Sequence, residues 1–475
     1  VGEPSEKRTT LGWGVVSGAK SGKRFHKISL PAISQEEEEL LCTCVEEFGK
    51  QALKSEVRNG QQAGEVSSRI LVEQCEAQQI ELDNDQRDYL AQYLYLHCWG
   101  YFFLDKLLED STIEEIAVIG IGKPAFVYVQ GEGWKETAFG FTSESTAIEA
   151  INKMSRAIGR RITFQSPRLN AILADGTRLH ATIPPVSKTE ITLRRFRTDP
   201  IGAPQLGSLK TSSYEALAFL WLVMQSDASV LVCGNTASGK TTTLNALFNF
   251  VPADERVLML EETPEISIPH RHAVRLVEQA DAGIGLCDLV ADSLRMRPDR
   301  VVIGEVRTQK EAQAFMESIL SGQARGAYAT YHAQSAGEAC LRLAAQGVME
   351  IDLPSIDLVV VQRRIGKYTS GVGIREVRRI VQIAEVAQGN GQGTGRGGDP
   401  KVLDLFSYDY SKDLLAMAQP DVVCKSKIAQ KVCHSHSMSQ RQLLNAISKR
   451  AAFLRKIAAH KGGVEKTMQR ILEFR

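Results

Sequence analysis

Eight residues, Gly234-Asn235-Thr236-Ala237-Ser238-Gly239-Lys240-Thr241, have the composition and spacing of a loop that wraps phosphate. Gly234 and Gly239 allow a tight backbone path on which successive N–H groups turn inward toward phosphate oxygens. Lys240 brings a positive charge to the β- and γ-phosphates of a nucleotide such as ATP, and the Thr241 hydroxyl can bind Mg2+. Thr242 opens a helical stretch to Phe248, whose N-terminal dipole adds to the same field. Two carboxylate groups follow apolar runs. Glu261-Glu262-Thr263-Pro264-Glu265 comes after Val257–Leu260, and Gly304-Glu305-Val306-Arg307 comes after Val301–Ile303. A carboxylate at a strand end beside such a loop can orient an attacking water or hold Mg2+ through water, so Glu305 and Glu262 are the catalytic candidates. His332, at the end of Ala329-Thr330-Tyr331-His332, either senses a γ-phosphate or is a structural histidine.

These residues need a scaffold that sets strand ends side by side. Val230–Cys233 reads as the strand before the loop, and apolar strands alternating with helices over residues 211–387 predict a parallel α/β sheet. Upstream, residues 28–100 carry helical periodicity, with Ser34 and Glu37 forming a capping-box pattern. Residues 101–198 mix short strands with one helix, and Asp175-Gly176 marks a hairpin. Residues 1–27 read as a flexible N-terminus and 199–210 as a linker with Pro200, Gly202, Pro204 and Gly207. Residues 388–400 read as a glycine-rich connector, because six of the ten residues 389–398 are glycine. Residues 401–475 begin with a possible strand pair and close in basic helices striped by Leu443, Ile447, Leu454 and Ala458.

A net charge of +1 gives no bulk attraction to a polyanion, but residues 421–475 hold twelve Lys and Arg against three Asp and Glu. Nine cysteines without framework spacing fit a reducing cytosol. Cys424, Cys433, His434 and His436 could bind zinc, though their spacing matches no standard pattern, and a basic loop is the alternative. The apolar window Ala216–Met224 is shorter than the ~20 residues of a membrane span, and nothing at the N-terminus reads as a signal peptide. A cytoplasmic chain is therefore expected, one that approaches any membrane from the cytosolic side.

Taken in order, GNTASGKT (234–241), LEETPEI (260–266), RPDRVVIGEVR (297–307) and TYHAQSA (330–336) resemble the type II/IV secretion ATPase family, closest to its archaeal pilus and archaellum branch. LDKLLEDSTIEEI (104–116), SPRLNAILADGTRLHATIPPVS (166–187) and ITLRRF (191–196) extend the likeness. The resemblance implies a RecA-like P-loop ATPase domain preceded by a helical segment and an α+β N-terminal domain, with a small helical C-terminal tail. It implies a homohexamer working on a polytopic membrane platform protein, with pilin-like subunits as indirect partners and no sequence-specific nucleic acid. It also implies that arginines of the α+β domain reach the nucleotide. Arg168, Arg178, Arg194 and Arg195 occupy the matching segments, and Arg178 and Arg195 are the first candidates.

Three positions depart from the family pattern. Glu262 stands where Asp is usual, Thr308 follows the second carboxylate strand where Asp or Gly is common, and a first box histidine is absent. Gln323 fills that last place by local pattern, whereas Arg325 has the usual spacing from His332. The expected function is an ATP-hydrolysing motor for a pilus-like filament or secretion apparatus. A DNA-transfer ATPase and a nucleotide-gated scaffold with little turnover are the alternatives, and the basic tail offers a contact for anionic membrane.

Overall fold

The computed structural model describes residues 10–16, 25–54, 57–129, 132–195, 200–279, 282–369, 373–387, 401–459 and 463–474. The expected connector at 388–400 and most of the expected flexible N-terminus lie outside the described residues. The chain divides into two units, Val1–Phe196 and Arg197–Arg475.

The first unit opens with β1 (Trp13–Val15), then helices α1 (Gln35–Lys54), α2 (Gly60–Gln78), α3 (Asn84–Cys98) and α4 (Phe103–Glu109). Ser34 caps α1 as its sequence predicts: Glu37 N–H donates to Ser34 Oγ at 3.2 Å and Ser34 N–H to Glu37 Oε2 at 2.7 Å. Strands β2 (Ile113–Val118), β3 (Phe126–Val129), β4 (Gly133–Glu136) and β5 (Phe139–Phe141) follow, then α5 (Glu144–Ser155), β6 (Arg168–Ile172), β7 (Arg178–Thr182) and β8 (Glu190–Arg194). Six of these strands form one antiparallel sheet in the order β4-β3-β2-β8-β7-β6. Asp175 makes the β6–β7 turn, accepting from Thr177 N–H at 2.9 Å, and Gly176 takes φ 85° there. The helices and the sheet share one core, in which Leu41, Leu94 and Trp13 pack with Ile116, Ile151 and Leu193.

The second unit runs α6 (Ala203–Ser208), α7 (Tyr214–Met224), β9 (Val230–Cys233), α8 (Lys240–Leu247), β10 (Val257–Glu261), β11 (Ala273–Val277), α9 (Leu286–Ser293), β12 (Arg300–Val306), α10 (Gln309–Leu320), β13 (Gly326–Tyr331) and α11 (Ala336–Ala345). It continues through β14 (Leu358–Thr369), β15 (Gly373–Ala387), β16 (Lys401–Asp409), β17 (Leu414–Met417), α12 (Pro420–Lys425), α13 (Lys427–Ser435), α14 (Gln440–Ala458) and α15 (Val464–Leu472). The nine strands form one sheet in the order β11-β10-β12-β13-β9-β14-β15-β16-β17. From β11 to β14 neighbours are parallel, and from β14 to β17 antiparallel. One strand, β13, separates the loop strand β9 from the carboxylate strand β12, which is the RecA-like arrangement. The expected parallel sheet is thus mixed, because β14 turns back into β15 instead of crossing over a helix.

Helices cover both faces of this sheet. On one face α7, the most apolar helix, is buried along Ala216–Met224 and packs under Leu443, Ile447, Ala451 and Leu454 of α14. The other face is covered by α9, α10 and α11 through Leu289, Val290, Phe315 and Leu343. The tail beyond residue 401 therefore shares the core of the loop-bearing sheet. Its helix α14 begins with a capping box between Ser439 and Gln442. Among the described residues no helix is long and apolar enough to cross a membrane, and no group of three or more His, Cys, Asp and Glu could hold a metal ion. His436 Nε2 instead faces the Leu222 carbonyl at 3.4 Å, and Cys424 Sγ faces that of Gln440 at 3.9 Å.

Candidate phosphate and nucleotide site

Parallel strands end together, so β9, β13, β12 and β10 deliver the sequence candidates to one edge of the sheet. The loop after β9 passes through Ala237 at φ 60° and Gly239 at φ 94° before α8 begins. A left-handed alanine is strained, and such strain gathers where a backbone must present its amides. A side chain added at Gly234 would lie 2.1 Å from the Gln362 carbonyl oxygen, so only glycine fits. Asn235 and Thr236 are exposed at the loop tip, while Ser238 and Lys240 are buried. Ser238 Oγ has no partner among the described residues. An orphan hydroxyl in a buried, glycine-flanked loop beside Lys240 fits an anionic oxygen.

Glu305, near the end of β12, is the hub. Its Oε1 lies 3.6 Å from Lys240 Nζ and 2.8 Å from His332 Nε2, and its Oε2 accepts from Arg307 Nε at 2.6 Å. Arg307 also donates through Nη1 to Glu262 Oε2 at 2.6 Å, tying the two carboxylate strands together. Gln346 supports this bridge, donating through Nε2 to the Arg307 carbonyl at 2.8 Å. Glu261 is buried and shapes the next loop, its Oε1 accepting from Glu265 N–H at 2.5 Å and Ile266 N–H at 2.7 Å. Glu265 then accepts from Thr241 Oγ1 at 3.0 Å.

Charge is held under tension here. Burial tends to raise the Glu305 carboxyl, but Arg307, Lys240 and His332 outweigh it and hold the group below the ordinary carboxylate value. Burial lowers Lys240, against the pull of Glu305. Burial, with Lys240 close by, also lowers His332 despite Glu305, so the imidazole is neutral near pH 7.

The sequence candidates Lys240, Glu305, His332 and Glu262 thus come together. Arg307, Glu265 and Gln362 join them without having been singled out. Arg307 carried a signal, two residues beyond Glu305 on the same strand, whereas Gln362 carried none. Arg325, considered for the missing histidine's place, immediately precedes β13 and so lies at the opposite end of the sheet, paired with Glu255 and Asp227. Arg168, Arg178, Arg194 and Arg195 belong to the first unit. Arg178 and Arg194 face each other across β7 and β8, and Arg195 Nη1 donates to the Asp110 carbonyl at 2.5 Å.

Residues 148–457 match the family described as Type II/IV secretion system protein. The chain belongs to the type II/IV secretion system protein family. Among relatives, an uncharacterized protein of Methanocaldococcus jannaschii is 32% identical over 248 residues, covering 50% of this chain and 34% of the relative. The chain thus spans about a third of that relative's length. A putative conjugal transfer protein of Mycobacterium tuberculosis is 33% identical over 264 residues, covering 53% of this chain and 74% of the relative. Among solved structures, the Legionella pneumophila ATPase DotB aligns with a TM-score of 0.44 at 19% identity, covering 78% of this chain and 95% of that one. The family match takes in the whole loop-bearing sheet, from β9 to β17, and strands β6, β7 and β8 of the first unit's sheet.

Proposed function

We propose that this chain hydrolyses ATP and uses the energy as a motor for a type II/IV secretion or pilus-like assembly, acting on a membrane platform from the cytosolic face. The observation that carries the reading is Glu305, an anionic carboxylate held by Lys240, Arg307 and His332 beside the phosphate loop. The loop amides and Lys240 bind the β- and γ-phosphates. An arriving γ-phosphate competes for Lys240, leaving Glu305 free to orient a water for in-line attack. His332 and Arg307 keep that carboxylate aimed.

The oxygens nearby suit a hard cation. Thr241 Oγ1 would hold Mg2+, with Glu305 behind an intervening water, and such an ion would supply charge neutralisation at the phosphate oxygens. Glu305→Gln keeps the shape but removes the charge. It is expected to bind ATP as wild type does while turnover falls by about a hundredfold or more. Lys240→Ala should instead lose binding. Wild-type hydrolysis by the Glu305→Gln protein would overturn the assignment.

In the same reading, arginines of the first unit complete the site as subunits form a hexameric ring. Arg178 and Arg195 are the first candidates. If the site is shared between subunits, mixing Lys240→Ala with Arg178→Ala protein should restore part of the activity that each lacks. The second reading, a DNA-transfer ATPase, is favoured by the name of the M. tuberculosis relative. Stimulation of hydrolysis by DNA, but not by anionic vesicles, would select it. On the platform reading the exposed Lys449 and Lys456 of α14 face acidic loops or anionic lipid, and binding weakens as salt rises. Arg450 and Arg455 are less available, stacked at 5.2 Å from the Trp221 and Tyr214 rings.

A further inference from the structure

The hairpin of β14 and β15 runs on beyond the parallel sheet. β14 pairs with β9 only over Leu358–Val361, and from Gln362 onward it pairs with β15 alone. That extension passes directly along the phosphate loop. Buried Gln362 accepts from Thr243 Oγ1 of α8 at 2.5 Å, and its carbonyl packs against Gly234. A side chain added at Gly239 would meet Gln362 Nε2 at 3.0 Å and Arg378 Cδ at 3.5 Å. The hairpin is therefore a wall of the loop, fastened to it through Gln362.

Four arginines occupy two successive rungs of this wall, Arg363 opposite Arg379 and Arg364 opposite Arg378. Like charges directly opposite each other repel. Three of the four have a partner that eases this. Asp413 accepts from Arg379 at 2.7 and 3.2 Å, Glu376 pairs with Arg364 at 3.4 Å, and Arg363 reaches the Gln334 side chain at 3.4 Å. Arg378 has no acidic partner among the described residues, and its half-buried stem lies against Gly239. An uncompensated guanidinium beside a phosphate loop is placed to receive an anion.

The strand order says which part of the ligand it meets. Lys240, Glu305 and His332 gather toward β12 and β13, whereas Arg378 stands on the other side of β9, beyond β14. A nucleotide with its terminal phosphate at Lys240 directs its other end toward the hairpin. We propose that Arg378 binds the α-phosphate, supplied by the same chain that supplies the phosphate loop. This rests on the nucleotide reading above and adds to it a residue outside the P-loop, carboxylate and histidine segments.

The test is calorimetric binding of ADP and of tripolyphosphate to the full chain, as wild type, Lys240→Ala, Arg378→Ala and Arg378→Lys. A charge-assisted bond lost from the α-phosphate should weaken ADP binding by about tenfold in Arg378→Ala, with partial recovery in Arg378→Lys. Tripolyphosphate should weaken in parallel. The ADP-induced rise in melting temperature should shrink, while the nucleotide-free protein melts no lower, since a like-charge rung has been relieved. In steady-state hydrolysis the loss should appear in KM rather than kcat. Unchanged ADP affinity in Arg378→Ala, beside a clear loss in Lys240→Ala, overturns the inference and leaves the nucleotide reading standing. Weakened ADP with unchanged tripolyphosphate overturns the α-phosphate assignment in favour of the nucleoside. A loss confined to kcat overturns it in favour of the transferred phosphate. No ADP binding by the wild type removes the nucleotide reading and this inference together.

Discussion

The two ends of the parallel strands in the second unit are built from the same ingredients and used in opposite ways. At the N-terminal ends, Glu255 accepts from Arg300 at 2.5 and 3.2 Å and from Arg325 at 2.5 Å. Arg300 is wholly buried and also donates to the Ser226 carbonyl and to Tyr328 Oη, at 3.0 and 2.7 Å. At the C-terminal ends, Glu305 meets Arg307, His332 and Lys240, but Arg307 is half exposed and Lys240 stands 3.6 Å off. The first cluster is closed, with its carboxylate gripped by two guanidiniums. The second leaves a gap between lysine and carboxylate, beside a loop whose buried Ser238 hydroxyl has no partner among the described residues. A cluster of charges does not identify a site. What distinguishes one is interaction capacity left unspent.

The largest contrast should come from removing the two hubs. Glu255→Ala strands buried Arg300 without its counter-ion, and breaking such a pair costs about 3–5 kcal/mol. Urea unfolding should show that loss, with ATP affinity unchanged where the protein is folded. The matching change at the other end, Glu305→Gln, should abolish turnover yet shift the urea midpoint far less. Equal destabilisation by both would erase the distinction drawn here.

Acidification should separate the two ends next. His332 is held below its ordinary value of 6.5, so below that pH the unfolded chain takes up the proton first and stability falls. Glu305 lies below its ordinary 4.5, so its contribution is complete above that pH and is lost as pH falls through the folded value. The His332→Gln variant should flatten the upper part of the acid limb, and Glu305→Gln the lower part. Variants at Glu255 should leave the upper part as in wild type. The smallest effect is expected within the closed cluster. Arg325 and Asp227 are 46% and 58% exposed, so Asp227→Asn should cost less than about 1 kcal/mol. A larger loss would mean that the rim of the cluster is as tightly coupled as its centre.

The legible parts of this site were those with backbone requirements or strand-end positions. Gly234, Gly239, Lys240 and Thr241 have fixed spacing because a phosphate loop admits few geometries, and Glu305 follows a plainly apolar strand. The illegible parts join residues far apart in sequence. Arg307 to Glu262 spans 45 positions and Thr243 to Gln362 spans 119, which no local pattern encodes. Spacing along the chain does not say which edge a residue reaches: the strand between Arg325 and His332, Gly326–Tyr331, puts the two at opposite ends of the sheet.

The fold divides the same way. The cap at Ser34 and the P-loop strand were readable, being local. The β14–β15 hairpin was not, because its Arg-rich arms extend past the sheet and lack a buried apolar face. The basic tail read as a contact for anionic membrane, yet the guanidiniums of Arg450 and Arg455 on α14 stack over the Trp221 and Tyr214 rings.

The order of the strands also bears on how the chain is made. β9 is flanked by β13 and β14, which begin at Gly326 and Leu358, roughly a hundred residues or more after it. During synthesis from the N-terminus, the phosphate loop emerges with neither neighbour to hold it. Its α7 covering layer waits longer still, for α14 at Gln440. Such late partners belong to a slow, non-local assembly, in which early segments stay exposed until the end of the chain arrives. The loop that is to grip nucleotide is thus among the first parts of the unit to be synthesised and among the last to take shape.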